Sequence, residues 1–461
     1  MKMPQAPPDL QPLLAELANS GDAETIASLM TAGRPVDGRG RYLHWDDMRY
    51  RDPSCGAMPR GATRDMWWLA TWLSRGALRR TLPLKAVDGS PFSICMVDPV
   101  WEALHRIDQS ASGDLLAEAP SVAKGNRDRY VVSSLIEEAV ASSQLEGASS
   151  TRAEAKQMLL RGRAPRNKSE QMILNNFRAM EQVRELAHAE QPVTIETICE
   201  LHRIVTDGTL GDPADAGRMQ TSGETRVWVS LPGAGHRELR AHTPPPAAEL
   251  RERLAALCTF AAGERDAGFV HPVVRAVVLH FWLAYDHPFV DGNGRLARSL
   301  FYWSMLRSGY WLAEFLAISA ILRKAPAQYA RSYLLTETDS NDVTYFVLHQ
   351  LDVIERAIEA LRAYLRSKLD EVREVDDMLR GRPEFNHRQR EVLAAAMRDP
   401  GADFAIAAHR TKHAVTYQTA RTDLLGLREA GLLDTRRDGR SYRFLPPVDL
   451  AAQIRRLASG R

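Results

Sequence analysis

The sequence HPFVDGNGRLAR at residues 287–298 governs how the middle of this 461-residue chain folds. Upstream of it, Pro272 opens an apolar run through Phe281 whose spacing predicts a buried helix. The helix should end at His287, because a residue that precedes proline is pushed out of the helical region. From Arg295 the apolar spacing predicts a second helix. The segment is therefore expected to form a polar loop that leads into a helix N-terminus.

The loop collects the groups that phosphate chemistry needs. Gly292 and Gly294 are expected to take positive φ, so that successive backbone N–H groups converge on one anion. The free N–H groups and the positive dipole end of the following helix also favour phosphate. Arginine suits bidentate phosphate contacts, carboxylate oxygens suit Mg²⁺, and an imidazole with a pKa near neutrality can take a proton. The candidate residues are the base His287, the metal ligand Asp291, and the phosphate-binding Gly292, Asn293, Gly294, Arg295 and Arg298.

Other interpretations of the segment explain less of it. Residues 292–297 formally fit the dinucleotide fingerprint G-x-G-x-x-A, but that fingerprint follows a strand, and here a helix is expected. The G-x-x-x-x-G-K-S/T pattern of a P-loop does not occur in the chain. A helix–turn–helix with two surface arginines would account for the glycines and arginines, but not for the histidine and the carboxylate that precede them.

The segment matches every fixed position of the motif H-x-F-x-D/E-G-N-G-R-x-x-R and so resembles the Fic family (filamentation induced by cAMP). The resemblance implies a mainly α fold, in which a helical core carries a small β-hairpin flap. It also implies transfer of AMP from ATP with Mg²⁺ to a Ser, Thr or Tyr hydroxyl of a target protein or of the chain itself. A different donor, such as UTP or a phosphocholine diester, stays open. The family often dimerises, so a homodimer is an expectation. Tyr329 is expected either to face the nucleoside or to pack in the core.

Residues 127–147 predict a helix whose end resembles an inhibitory motif of the Fic family. Apolar residues recur there at helical spacing, and Gly147 is placed to end the helix. Ser142, Glu146 and Gly147 resemble the family's inhibitory motif S/T-x-x-x-E-G/N, although a solvated glutamate at a helix end is the ordinary interpretation. The resemblance implies that Glu146 pairs with Arg298 and so prevents Arg298 from binding the terminal phosphate of ATP. It leaves open whether Glu146 also helps to remove AMP.

Residues 223–230 alternate between polar and β-prone side chains and predict one strand of a hairpin. Arg226, Trp228 and Ser230 would then share one face of the strand, with valines on the other. The resemblance implies a flap on which the target peptide adds as an extra strand, and an ordinary surface hairpin is the alternative. The expected target-binding residues are Arg226, Val227, Trp228 and Val229.

Length and composition suggest about three domains in a soluble chain. Hydrophobic residues make up 44% of the chain and charged residues 26%, which is ordinary for a globular protein. The expected divisions are an N-terminal part with a small Trp-rich domain at 1–125, a Fic core at 126–370 and a further domain at 381–461. Neither a signal peptide nor an apolar run of membrane-spanning length is evident. Four scattered cysteines fit a reducing compartment, so a cytoplasmic protein without a membrane partner is expected.

The C-terminal part carries an excess of positive charge. Residues 381–461 contain 15 Lys and Arg against nine Asp and Glu. The pattern predicts three helices followed by a hairpin that turns at Asp438–Gly439, an arrangement that resembles a winged helix. Such a domain binds DNA in some proteins and other proteins or a second copy in others. A DNA-binding regulator whose Fic core senses nucleotide is therefore the alternative function.

Overall fold

The computed structural model describes residues 2–20, 23–52, 58, 62–110, 127–232, 238–263, 268–378, 385–399, 402–438 and 441–458. Within these ranges the chain is mainly α-helical, and its strands pair as three separate two-stranded antiparallel hairpins. The mainly α fold class predicted from the sequence is confirmed. None of the helices in the described ranges is both long and apolar enough to cross a membrane.

The elements are named here in chain order. The N-terminal part contains α1 (Gln11–Ser20), α2 (Ala23–Ala32), α3 (Trp45–Met48), α4 (Arg64–Gly76), β1 (Arg79–Lys85), β2 (Pro91–Cys95) and α5 (Asp98–Gln109). The central part contains α6 (Arg127–Leu145), α7 (Arg152–Arg161), α8 (Lys168–His188), α9 (Ile195–Thr206), β3 (Val229–Pro232), β4 (Glu238–His242), α10 (Leu250–Ala262), α11 (Pro272–Asp286), α12 (Asn293–Arg307), α13 (Ile318–Leu322), α14 (Pro326–Thr338) and α15 (Thr344–Met378). The remainder contains α16 (His387–Arg398), α17 (Ile406–His413), α18 (Tyr417–Glu429), β5 (Asp434–Asp438), β6 (Ser441–Leu445) and α19 (Leu450–Ala458).

The centre of the molecule is the packed pair α11 and α12. Pro272 occupies the first turn of α11, and the ring of His271 caps that helix by accepting a bond from Val273 N at 3.4 Å. Nearly every residue of both helices is buried. Burial is expected for α11, which is largely apolar, whereas α12 also buries Asn293, Arg295 and Arg298. The surrounding helices α8, α10 and α15 pack against this pair, so the loop between α11 and α12 is held on a rigid support.

The N-terminal part joins the same core through its hairpin and α5. A turn at Asp88–Gly89 connects β1 to β2, and Gly89 has the positive φ of 81° that such a turn needs. Apolar side chains from residues 82–107 belong to the same buried cluster as α11 and α12. The domain boundary near residue 125 stays a prediction. One apolar core contains residues from both sides of it.

The described residues from 385 to 458 are called the C-terminal segment below. They have an apolar cluster of their own, which is separate from the central core. Asn386 caps α16 in a capping box with Gln389, and Thr416 caps α18. The three predicted helices and the hairpin are present, although the turn residue Gly439 lies outside the described residues. A backbone pair between Phe404 and Phe444 and the final helix α19 were not predicted.

Candidate active site

The turn at the end of α11 presents His287. This residue has φ 46° and ψ 54°, a left-handed conformation that non-glycine residues seldom adopt. Its N–H donates to Leu283 O at 3.0 Å and closes the last helical turn, after which Pro288 prevents continuation. The ring Nδ1 lies 3.3 Å from Ala284 O. Because a carbonyl oxygen can only accept, Nδ1 carries the proton and Nε2 keeps a lone pair for a substrate.

Arg226 holds this turn in place. Its guanidinium donates from Nη2 to Asp286 O at 2.8 Å and to His287 O at 3.1 Å, and from Nε to Pro245 O at 2.9 Å. The last carbonyls of a helix lack intrahelical partners, and a cation near them also interacts favourably with the helix dipole. Arg226 therefore stabilises the strained backbone that aims His287.

Burial shifts the titration of the candidate base. The pKa of His287 is lowered to about 4, because desolvation disfavours imidazolium more than the Ala284 carbonyl favours it. At neutral pH the ring is therefore almost wholly in the form that accepts a proton. This shift from the ordinary histidine pKa increases the fraction of the ring that can act as a base at neutral pH.

The loop after His287 is closed by side-chain contacts to its own backbone. Asn293 Oδ1 accepts from Phe289 N at 3.0 Å, and its Nδ2 donates to Phe289 O at 2.8 Å. Gly292 has φ 84°, as predicted, and a methyl group in its place would lie 2.7 Å from Thr206 Cγ2. The prediction of positive φ at Gly294 was wrong, because α12 already begins at Asn293.

Glu146 reaches the first turn of α12 from the end of α6. Its Oε1 accepts from Arg298 Nη2 at 2.8 Å, and Ser142 accepts from the same guanidinium through Oγ at 2.9 Å and its carbonyl at 3.1 Å. A methyl group built at Gly294 would collide with this carboxylate. The carboxylate thus lies above free helix N–H groups and beside a cation that is only 2% exposed, where an anionic group is stabilised. The structure brings together Ser142, Glu146 and Arg298, and Gly147 ends the turn with φ 90°.

Arg295 lies behind the loop with no exposed surface. Its Nη1 donates to Val205 O, and Nη2 lies 4.0 Å from Asp291 Oδ1. Among the described residues, its Nε and Nη2 find no hydrogen-bond partner. Unpaired buried donors of a charged group are costly, so a phosphate oxygen at the loop would stabilise Arg295. This orphaned donor pair fits a polyphosphate site.

Asp291 is the candidate magnesium ligand. Its side chain is 52% exposed, and Oδ1 accepts from Gly292 N at 2.6 Å. No group of three or more His, Cys, Asp or Glu that could hold a metal occurs in the part of the chain that the structure describes. The donor set thus fits an ion held by one carboxylate together with phosphate oxygens and water, the arrangement that Mg²⁺ favours.

A cavity of about 300 Å³ connects His287 with Glu146 and Arg298. Arg298, Gly294 and Glu146 line it at one place, His287 lies on its wall, and its other walls include Tyr333 and Leu334. Tyr329 also lines the cavity, and its hydroxyl lies 2.8 Å from His280 Nε2 and 3.1 Å from the Tyr333 hydroxyl. The cavity therefore combines a cationic, anion-binding part with aromatic walls.

Residues 192–305, which include α11, the loop and most of α12, match the model of the Fic/DOC family. The chain contains a Fic domain. It is 28% identical over 178 residues to the protein adenylyltransferase Fic of Nematostella vectensis, which covers 39% of this chain and 36% of that protein. It is 33% identical over 125 residues to the protein adenylyltransferase fic-1 of Caenorhabditis elegans, which covers 27% of this chain and 22% of that protein. The chain thus spans well under half the length of these curated relatives.

Two solved structures show a partial likeness in fold. A Fic family protein from Desulfovibrio desulfuricans G20 has a TM-score of 0.47 at 17% identity, covering 77% of this chain and 97% of that one. Residues 134–508 of Fic-1 from C. elegans have a TM-score of 0.46 at 19% identity, covering 76% of this chain and 85% of that one.

The Fic domain contains one positioning residue that the sequence analysis missed. His202 Nε2 lies 2.8 Å from Asp291 O, Gly217 N donates to its Nδ1 at 2.9 Å, and its ring stacks on Phe289 at 3.8 Å. Burial lowers the pKa of His202 to about 4, so the ring stays neutral with its proton on Nε2. His202 lies on the apolar face of α9, where a histidine gives no signal that distinguishes it from a core residue.

The flap of the Fic domain begins later than predicted. The strand expected across residues 223–230 was wrong for 223–228, because β3 starts at Val229 and pairs with β4. Val227 and Trp228 precede the strand, and Trp228 is 48% exposed. Side-chain contacts of Arg226 replace the regular pairing that its alternation suggested. The loop from 233 to 237 lies outside the described residues.

Proposed function

We propose that the Fic domain transfers AMP from ATP to the hydroxyl of a Ser, Thr or Tyr, on a target protein or on the chain itself. Relatives named protein adenylyltransferase support the donor and the group that moves. The single observation that carries the proposal is the neutral His287, whose free Nε2 borders the same cavity as the anion site at Gly294 and Arg298. A base beside a phosphate site is what nucleotidyl transfer to a hydroxyl requires.

Each group at the site has a separate task in this transfer. The free N–H groups of α12 with Arg298 and Arg295 bind the phosphates, and Asn293 and His202 keep the loop in shape. Asp291 would hold Mg²⁺, which neutralises charge on the phosphates when bound. Nε2 of His287 takes the proton as the hydroxyl oxygen bonds to the α-phosphorus. The bond from that phosphorus to the bridging oxygen then breaks, and pyrophosphate leaves.

The flap at β3 and the cavity wall at Tyr329 complete the proposed site. The target peptide would add beside β3, near Val227, Trp228 and Val229, of which Trp228 is exposed. The guanidinium of Arg226 is bound to backbone carbonyls. A direct contact of Arg226 with the target stays a prediction. Tyr329 would face the nucleoside from the cavity wall.

The same geometry supports autoinhibition by Glu146. The carboxylate is bound to Arg298 at 2.8 Å, so ATP has to compete for this guanidinium. If ATP binds beside the carboxylate, its phosphates are displaced from the position that in-line attack needs, and a misplacement of about 1 Å can lower the rate on the order of 10²-fold. The resting protein is therefore proposed to transfer AMP slowly.

The experiment uses ATP labelled at either the α- or the γ-phosphate. The Glu146→Gly protein, incubated with cell extract, should attach the α-label to protein and leave the γ-label in solution. Attachment of the γ-label would identify a kinase instead. Competition with unlabelled UTP or a phosphocholine diester tests the donor, and failure of every donor to modify any protein would refute transfer.

DNA binding by the C-terminal segment is a second candidate function. Tyr417, Gln418 and Arg421 are exposed on α18, and Arg436 and Arg437 are exposed on β5, which together form a polar and basic surface of the type that contacts phosphates. Fluorescence anisotropy with duplex DNA over a salt series should give a linear log–log dependence. Replacing Arg436 and Arg437 by alanine should lower the slope by about two. An unchanged slope, equal to that of the double control Arg39→Ala, Arg64→Ala, would contradict DNA contact by the hairpin.

A further inference from the structure

The helix that carries Glu146, α6, packs on two separate sets of residues. Around its middle, Ile136, Ala139 and Val140 form a small apolar cluster with α7 and α8 that is separate from the central core. Toward the residues that match the Fic family, Ser142 Oγ accepts from Arg298 Nε at 2.9 Å, and Glu138 Oε2 accepts from Ser319 N of α13 at 3.0 Å. Only residues 147–151 separate Glu146 from α7. A displacement of α7 therefore acts directly on the end of α6 that holds Glu146.

The C-terminal segment covers this pair of helices. Its helix α17 packs against both α6 and α7. Arg161, the last residue of α7, donates from Nη2 to Asp403 Oδ1 at 3.3 Å, and Asp403 lies 3.6 Å from Arg443 of β6. The next residue, Phe404, exchanges two backbone hydrogen bonds of 2.8 Å with Phe444. Asp403 thus joins α7 to the point where α17 and the hairpin meet.

We propose that the C-terminal segment clamps α6 and α7 onto the Fic domain, so that loosening this contact releases Glu146 from Arg298. The proposal rests on the proposed function and adds a contact that controls inhibition by Glu146. Glu146 and Arg298 face the cavity, whereas α17 contacts the same helices from outside the residues that match the Fic family. A change in the segment can then alter transfer without any contact with ATP.

The test reverses one charge in the full-length chain. In Asp403→Arg, three cations would meet where one carboxylate now bridges two, and the contact with α7 should weaken. Labelling from α-labelled ATP should rise about two- to fivefold, the range that corresponds to the free energy of an exposed ion pair. In the Glu146→Gly background the same substitution should change nothing, because no carboxylate remains to be released.

Two variants sharpen this test. Asp352→Arg makes the same substitution at an exposed Asp that is paired with Arg356 at 3.3 Å on α15, and it should not raise labelling. Adding Arg161→Asp to Asp403→Arg should restore slow labelling, because opposite charges face each other again. A rise in both Glu146 backgrounds, or no rise in either, overturns the clamp.

A second measurement does not depend on activity. Hydrogen exchange of amides from 142 to 161 should be faster in Asp403→Arg than in the wild type, and unchanged in Asp352→Arg. If the Asp403→Arg chain does not fold, Arg161→Ala tests the same contact from the other side. Unchanged exchange in a folded variant overturns the clamp even if no donor is found. Absence of labelling in Glu146→Gly, with faster exchange in Asp403→Arg, would refute the proposed function and leave the clamp supported.

Discussion

Glu146→Gly is expected to raise the rate of AMP transfer about 10²-fold. The substitution frees Nη2 of Arg298 from a 2.8 Å ion pair and clears the space above Gly294. Both changes open the anion site at the N-terminus of α12, so the α-phosphate can approach the position that in-line attack requires. Initial rates of protein labelling from α-labelled ATP, measured for mutant and wild type at equal concentration, give the ratio directly.

The control for this experiment lies on α5, away from α6 and α7. Glu102→Gly also replaces a glutamate by glycine, and that carboxylate is exposed and pairs with Arg106 at 3.8 Å. It should leave the labelling rate within about twofold of the wild type, since an exposed pair contributes little. Glu146→Gln keeps the size of the side chain and loses its charge, so its rate should fall between those of the wild type and Glu146→Gly. Equal labelling by Glu146→Gly and wild type would contradict autoinhibition by Glu146.

His287→Ala in the Glu146→Gly background is expected to lower transfer by about 10²–10⁴-fold. General-base catalysis supplies an acceleration of that size, and Nε2 of His287 is the base with its lone pair directed away from the bound Nδ1. The affinity for ATP should stay nearly the same, because the phosphate contacts come from α12 and the loop. His105→Ala removes an exposed imidazole on α5 and should leave both quantities unchanged.

The pH dependence follows from the lowered pKa of His287. With a folded-state pKa of about 4, the ring is neutral at every pH well above that value, so the rate should be flat around neutrality with respect to this group. It should decline only as pH falls toward the pKa, where imidazolium replaces the base. A rate that rises about tenfold per pH unit up to the ordinary histidine pKa of about 6.5 would show that His287 titrates as an exposed histidine, contrary to its burial.

Much of the local backbone around the site could be predicted from the sequence. Pro272 and the apolar run indicated the start and burial of α11, and His287–Pro288 indicated its end. The helix at 127–145 and its end at Gly147 followed from rules that operate within a few residues. The Glu146–Arg298 pair, between residues far apart in the chain, was expected only because the sequence resembles a known family.

The errors have a common physical cause. Alternation at 223–230 indicated a strand, but this stretch is irregular up to Trp228 and the Arg226 guanidinium donates to the carbonyls of Asp286 and His287. Gly294 was expected in a turn, but the Asn293 side chain closes the loop early and starts α12 before it. In each case a contact between side chain and backbone overruled the local preference.

Local rules were enough to identify the candidate chemical groups and the ends of the helices around them, because capping, proline sterics and apolar spacing operate over one or two turns. Three features required the packed chain: the support of the loop by His202 from α9, the burial that keeps His287 neutral, and the cover that the C-terminal segment places on α6 and α7. These features depend on which groups from distant parts of the chain share a dry interior. The spacing of residues along the sequence does not predict these contacts, because they form only when the helices pack.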